Sequence, residues 1–208
     1  MKVKASKYLH DIKPILLRLR DRLLEEFPYA SILATDSQAK QYSVSRTATN
    51  IGMVGLWSGR GFVVKVYDGS GYGEYSFNEI SEDRVEEIVA KVKGDLIPMS
   101  GHLPEGVERS VYAMLEDEPL VFADSTEYEI DPAEYGDERI IQELTRISET
   151  GRAYDERILD CGAFLNYQKY SKLFLSRNRD MEQNVLWTAG GFSVMASRGQ
   201  EIKRSYKG

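Results

Sequence analysis

Soft metal ligands are nearly missing from this sequence, which has one cysteine (Cys161) and two histidines (His10 and His102) in 208 residues. A lone cysteine excludes an internal disulfide and fits a reducing compartment. Zinc needs three or four ligands, usually two of them closely spaced, and neither histidine has a partner of that kind nearby in the chain. No His-Glu-x-x-His variant occurs, so this chain alone is not expected to build a metal centre. A Ser-His-Asp arrangement would have to recruit one of the same two histidines, and no Gly-x-Ser-x-Gly elbow is present. No apolar run reaches the ~20 residues that span a bilayer. The start, MKVKASKYLHDIK, has lysines with no apolar stretch behind them, unlike a secretory signal, so the expected location is the cytoplasm. A basic excess is also lacking: the net charge is −6, against the basic face of most nucleic-acid binders. There is neither a fixed-period repeat nor a low-complexity tract.

What is present is alternation. In RGFVVKVYDGSGYGEYSFNEI, Phe62, Val64 and Val66 share one face of an extended run that stops at Asp68-Gly69-Ser70-Gly71, and a second run over 72–77 follows. β-branched and aromatic residues at period two around an Asp/Gly turn predict a β-hairpin. Before it, Ile12, Ile15, Leu16, Leu19 and Leu23 recur at three and four. They predict a helix over 11–27, capped by Asp11, with Pro14 in its first turn. Arginines on the other faces of this helix are interspersed with acids, which favours a cover over a sheet and disfavours a membrane-surface helix. Three short runs, 30–35, 40–46 and 51–57, predict strands broken at Asp36-Ser37, Asn50 and Ser58-Gly59. Ser81 is placed as the cap of a second helix through residue 96, with Val85, Ile88, Val89, Val92 and Leu96 as its buried stripe.

The second half repeats the scheme. After an irregular, Pro/Gly-rich stretch at 97–118 come Leu120-Val121-Phe122 and a polar segment. A helix follows over 137–154, with Ile140, Ile141, Leu144 and Ile147 as its stripe. Extended runs at 157–168, 172–177, 184–198 and 201–206 complete the chain. The expected fold class is α+β, made of two helix-plus-antiparallel-sheet units: 1–96, a linker at 97–118, and 119–208.

The candidate chemistry reduces to structure. Cys161, in LDCGAF, reads as a small buried hydrophobe without a nearby basic group to make a thiolate. The glycines at 69, 71 and 73 lead into a strand, whereas a phosphate loop leads into a helix. The carboxylates at 116–118 and 124–134 read as a solvated face. The segment YQKYSKLFLSRNR mixes bases and aromatics, but its alternation fits a hairpin better than a surface that stacks bases. No catalytic, cofactor-binding or metal-binding residue is nominated.

Three stretches, FPYASILATDSQAKQYSVSR, RGFVVKVYDGSGYGEYSFNEIS and KLFLSRNRDMEQNVLWTAGGFSVMASRGQEIKRSYKG, together resemble the amino-terminal half of the TldD/PmbA proteins. These are zinc-dependent peptidases, also called modulators of DNA gyrase. Gly61-Phe62-Val63-Val64, Asp68-Gly69, Gly71-Tyr72-Gly73 and Ser81 stand where the family has its strand, turn, return strand and helix cap. The family's zinc ligands, a His-Glu-x-x-x-His helix and a later cysteine, belong to its carboxy-terminal half. Cys161 does not match that cysteine's context, so the resemblance carries over no site residue and no cofactor for this chain. It implies a non-catalytic portion that helps enclose a chamber for an extended peptide. The partner implied is the chain's own carboxy-terminal domain or a paralogous TldD/PmbA subunit in a dimer, and the 208 residues are expected to be part of a larger enzyme. A stand-alone peptide-binding or assembly module is the alternative, and a gyrase- or nucleic-acid-associated modulator is a third; membrane binding is not expected.

Overall fold

The computed structural model describes residues 1–53, 58–96 and 110–208, without the side chains of residues 95 and 96. Helix α1 (Lys7–Glu26) opens it. The cap is Ser6, not Asp11: the apolar period reaches back one step to Leu9, and the Ser6 hydroxyl accepts from the Leu9 amide at 3.2 Å. Pro14 therefore lies inside the helix, where its missing N–H removes one intrahelical bond. Leu9, Ile12, Leu16, Leu19 and Leu23 form the buried stripe.

Strand β1 (Tyr29–Val44) follows without a break at Asp36-Ser37; the two predicted strands are one of 16 residues. β2 (Thr49–Met53) returns along its second half, and β3 (Gly59–Tyr67) along its first. β3 and β4 (Tyr72–Phe77) make the predicted hairpin, with Phe62, Val64 and Val66 all 1% exposed or less. Asp68 holds its turn by accepting from the Ser70 and Gly71 amides, each at 2.8 Å, while Gly69 takes a φ of +97°. Ser81 makes no capping bond; a 3-10 turn at Glu82–Arg84 leads into α2 (Val85–Leu96).

In the second half, β5 (Leu120–Ser125) precedes the single turn of α3 (Pro132–Tyr135), which Asp131 caps, and α4 (Asp137–Ala153). The α4 stripe is Ile140, Leu144 and Ser148, whereas Ile147 is 37% exposed. β6 (Ile158–Leu175) again fuses two predicted strands, and β7 (Arg179–Arg198) and β8 (Glu201–Lys207) close the chain.

Among the described residues, the eight strands belong to one sheet, in the order β4-β3-β1-β6-β7-β5, with β2 beside β1 and β8 beside β7. β1 and β6 pair from Ile32↔Leu175 to Val44↔Ala163, so both halves of the chain share the sheet. One pair departs from the antiparallel pattern: β5 runs parallel to β7. The even-numbered residues of β1 and the odd-numbered ones of β6 face the helices. One core gathers α1 and α2 over Ile32, Val64, Leu173 and Leu175; a second gathers α4 over Tyr42, Val44, Ala163 and Tyr167. Of the predicted 97–118 linker, residues 97–109 lie outside the described residues, as do 54–57 of the predicted third strand; 110–118 contain no helix or strand.

Candidate functional site

Between the two cores, on the same face of the sheet, runs a polar seam. Its floor is Asp36 and Lys40 of β1, Lys169 and Ser171 of β6 and Asn184 of β7, set side by side by the strand register. The Ser6 hydroxyl donates to Asp36 Oδ2 at 2.6 Å, and Arg60 Nε donates to Asp36 Oδ1 at 3.1 Å. The Arg60 guanidinium also lies 3.9 Å over the Tyr8 ring. The Ser6 amide donates to Ser171 Oγ at 3.0 Å, and Ser171 Oγ donates onward to Asn184 Oδ1 at 2.6 Å. Lys169 reaches Asp131 at 3.0 Å, tying β6 to the cap of α3.

At the other end, Lys40 and Tyr42 both donate to Asp137 at the start of α4, at 2.8 and 2.6 Å. Those two bonds, Lys40 first, hold the Asp137 carboxyl below its ordinary range, where the helix N-terminus also favours its charge. Burial, helped by the bond to Asp137, pushes the Tyr42 phenol well above its ordinary value. Glu182 is pushed up by burial, but bonds from Asn184 and His10 outweigh that and keep it low.

Chemically, the seam is a latch. Asp36, Asp131, Asp137, Asp180 and Glu182 face Arg60, Lys169, Lys40, Lys13 and His10 respectively. The Asp137 carboxyl, held low, is a poor general base, and the Tyr42 phenol, pushed up, is a poor nucleophile. A recess of about 300 Å³ opens onto the seam beside Ser6, Tyr8, Arg60 and Lys169.

The residues weighed from sequence are scattered. Cys161 is buried at 1%, and burial, then Asp160, push its thiol up. His10 stands on α1 against Glu182 at 2.9 Å, and His102 lies outside the described residues. Among the described residues, no three His, Cys, Asp or Glu side chains come together around a common point, so zinc does not fit the groups this chain offers there. The mixed basic and aromatic segment divides between faces: Tyr167 and Lys169 point to the helices, Tyr170 and Lys172 away. The residues of the seam were missed because Ser6, Asp36 and Ser171 are ordinary polar residues in sequence; only Leu9, three before Ile12, hinted at the Ser6 cap.

A second feature is apolar. α4 covers β1 and β6, but the adjoining face of β7 and β8 continues beyond it. Tyr154, Ile158, Phe192, Val194 and Ala196 line a groove of about 660 Å³ there, a volume typical of ligand sites. Among the described residues, no helix is long and apolar enough to cross a membrane.

An eight-stranded sheet with its helices gathered on one face defines a class of α+β domain, and that class has solved relatives. The chain resembles a candidate modulator of DNA gyrase from Bacteroides thetaiotaomicron, with a TM-score of 0.69 at 16% identity over 94% of this chain and 44% of that one. It resembles TldE from Thermococcus kodakarensis with a TM-score of 0.58 at 12% identity, over 92% and 42% of the two chains. A candidate modulator of DNA gyrase from Thermotoga maritima gives 0.57 at 12% identity, over 91% and 42%. These neighbours are members of the TldD/PmbA fold family, and this chain has that fold while spanning less than half of each neighbour. No protein-family model and no curated protein matches the sequence.

Proposed function

We propose that this chain is the amino-terminal, non-catalytic portion of a TldD/PmbA-like zinc metallopeptidase, and that it helps form the chamber in which an extended peptide is processed. The observation that carries the reading is the extent of the fold likeness, 94% of this chain. The seam agrees with it, because its carboxylates are tied up in bonds to side chains of the same chain. Zinc and the His-Glu-x-x-x-His helix would come from a carboxy-terminal domain or a paralogous subunit, and this chain would supply walls and a dimer contact. Affinity capture of the chain from its own cells tests this. The expected result is co-purification with, or covalent continuation into, a His-Glu-x-x-x-His polypeptide whose peptide cleavage a chelator stops. Stoichiometric zinc or peptide cleavage by the purified 208-residue chain alone would overturn it.

A further inference from the structure

The seam contains groups that the latch leaves unused. On the helix side of β1, Ala34 and Tyr42 are 1% and 0% exposed beneath the two cores, whereas Gln38, midway between them, is exposed. Helices α1 and α4 thus leave a cleft over the middle of a strand that lies inside the sheet. The recess of about 300 Å³ lies in this cleft, with Asp36, Gln38, Lys169 and Ser171 as its floor. That volume is at the lower end of those found for ligand sites, so it holds a small molecule and not only an ion.

Charge sets the recess apart. Its lining carries Lys4, Lys7, Arg60 and Lys169 against one carboxylate, Asp36. Counting also Asp11 and Asp131, the partners of Lys7 and Lys169, leaves four cations against three carboxylates, in a chain whose net charge is −6. Donors are also left over. Asp36 is satisfied by the Ser6 hydroxyl and by Arg60 Nε, while the two terminal nitrogens of Arg60 bond to no described residue. The Tyr8 ring, 3.9 Å beneath that guanidinium, supports it in place. Lys169 spends one of its three N–H donors on Asp131, and Lys4 and the Gln38 amide spend none among the described residues. Because the latch holds Arg60 and Lys169 before any ligand arrives, little ordering remains to be done on binding.

We infer that this recess binds the phosphate group of a small phosphomonoester, with Arg60, Lys169 and Lys4 as its donors. A carboxylate is planar and matched by a single guanidinium fork, whereas donors from three separate side chains suit a tetrahedral dianion. The inference goes beyond the metallopeptidase reading and takes nothing from it.

The 208-residue chain is titrated with inorganic phosphate, glycerol 3-phosphate and acetate, each at an ionic strength held constant with sodium chloride. Both phosphates are expected to shift the Gln38 side-chain amide and the Ser171 amide resonances and to leave Gly199, outside the recess, unmoved. Glycerol 3-phosphate is expected to bind at least as tightly as inorganic phosphate, and acetate at least about tenfold more weakly. Arg60→Gln is expected to weaken phosphate binding at least about tenfold. Lys4→Glu reverses an exposed charge that the fold does not use and is expected to weaken it about fivefold, which keeps the test decisive if the Arg60 variant unfolds. Acetate binding as tightly as phosphate, a response to inorganic phosphate alone, unchanged affinity in Lys4→Glu, or no binding at millimolar phosphate would each overturn the site. Those outcomes leave the metallopeptidase reading standing, since that one falls on zinc or cleavage by the chain alone.

Discussion

The contact between Gly151 and Cys161 gives the sharpest test of how the second core is packed. Gly151 lies in the last turns of α4, where alanine would ordinarily be the better residue by about 0.5–1 kcal/mol. Here a Cβ on residue 151 would overlap Cys161 Sγ and lie 3.0 Å from its Cβ. Cys161 cannot step aside easily, because its strand is held by β7 and its carbonyl accepts from Ser148 Oγ at 2.6 Å. Overpacking of this kind costs roughly 1–3 kcal/mol, more than the propensity gain. Gly151→Ala is therefore expected to destabilise by about 1–2 kcal/mol, read as a lower urea midpoint at unchanged m. Cys161→Ala alone should cost about 1 kcal/mol for the vacated volume. Combined, the alanine methyl occupies the space the sulfur leaves, and the double variant should be about as stable as Cys161→Ala, a coupling of about 1–2 kcal/mol. If Gly151→Ala stabilises the chain by itself, or the two changes simply add, the close approach of α4 to β6 is wrong.

Two other outcomes follow from the hydrogen bonds. Asp137 is held below its ordinary carboxyl value of 3.8, so its contribution is present above that pH and lost as the pH falls through the folded value. The stability gap between the native chain and Asp137→Asn should be widest near neutrality and close as the pH falls below the ordinary carboxyl value; a gap of constant size would sink the argument. Asp68→Ala removes the acceptor of two amides in the β3–β4 turn and should cost about 1 kcal/mol in urea unfolding, and no change would show that the glycines alone set the turn.

The hairpin over β3 and β4 was legible in sequence because one apolar face, one turn and one return strand lie within a few residues of each other. The long strands were not, and β1 and β6 failed for the same reason. Each crosses both cores, so each shows two apolar runs with polar residues between: Asp36 to Gln38 in β1, Gln168 to Ser171 in β6. Strand preferences disfavour aspartate and reward apolar alternation, so the polar middle reads as a turn. Only the pairing of Asp36 with Ser171 across the sheet shows the two gaps to be one seam. The Ile147 and Ser148 exchange in α4 has a similar origin: the serine is buried because a strand carbonyl needs its hydroxyl, a demand that helical periodicity does not encode.

The seam also answers a question the cores leave open. A slip of β1 against β6 by one residue would turn every core side chain outward, but a slip by two would keep each on its own face. Apolar contacts alone discriminate weakly between such registers, because one buried valine or leucine serves nearly as well as another. The seam does not tolerate the change. A two-residue shift would part Asp36 from Ser171, so that Ser6, whose hydroxyl bonds Asp36 and whose amide bonds Ser171, could no longer serve both, leaving polar groups short of partners at the middle of the sheet. Asn184, 3% exposed, bonds Ser171, Ser125 and Glu182, and so extends the same constraint to β7 and β5. A buried donor or acceptor left unmade costs about 1–3 kcal/mol, and several would be lost together. Polar residues that looked like interruptions in the sequence thus specify the register in which β1, β6 and β7 align.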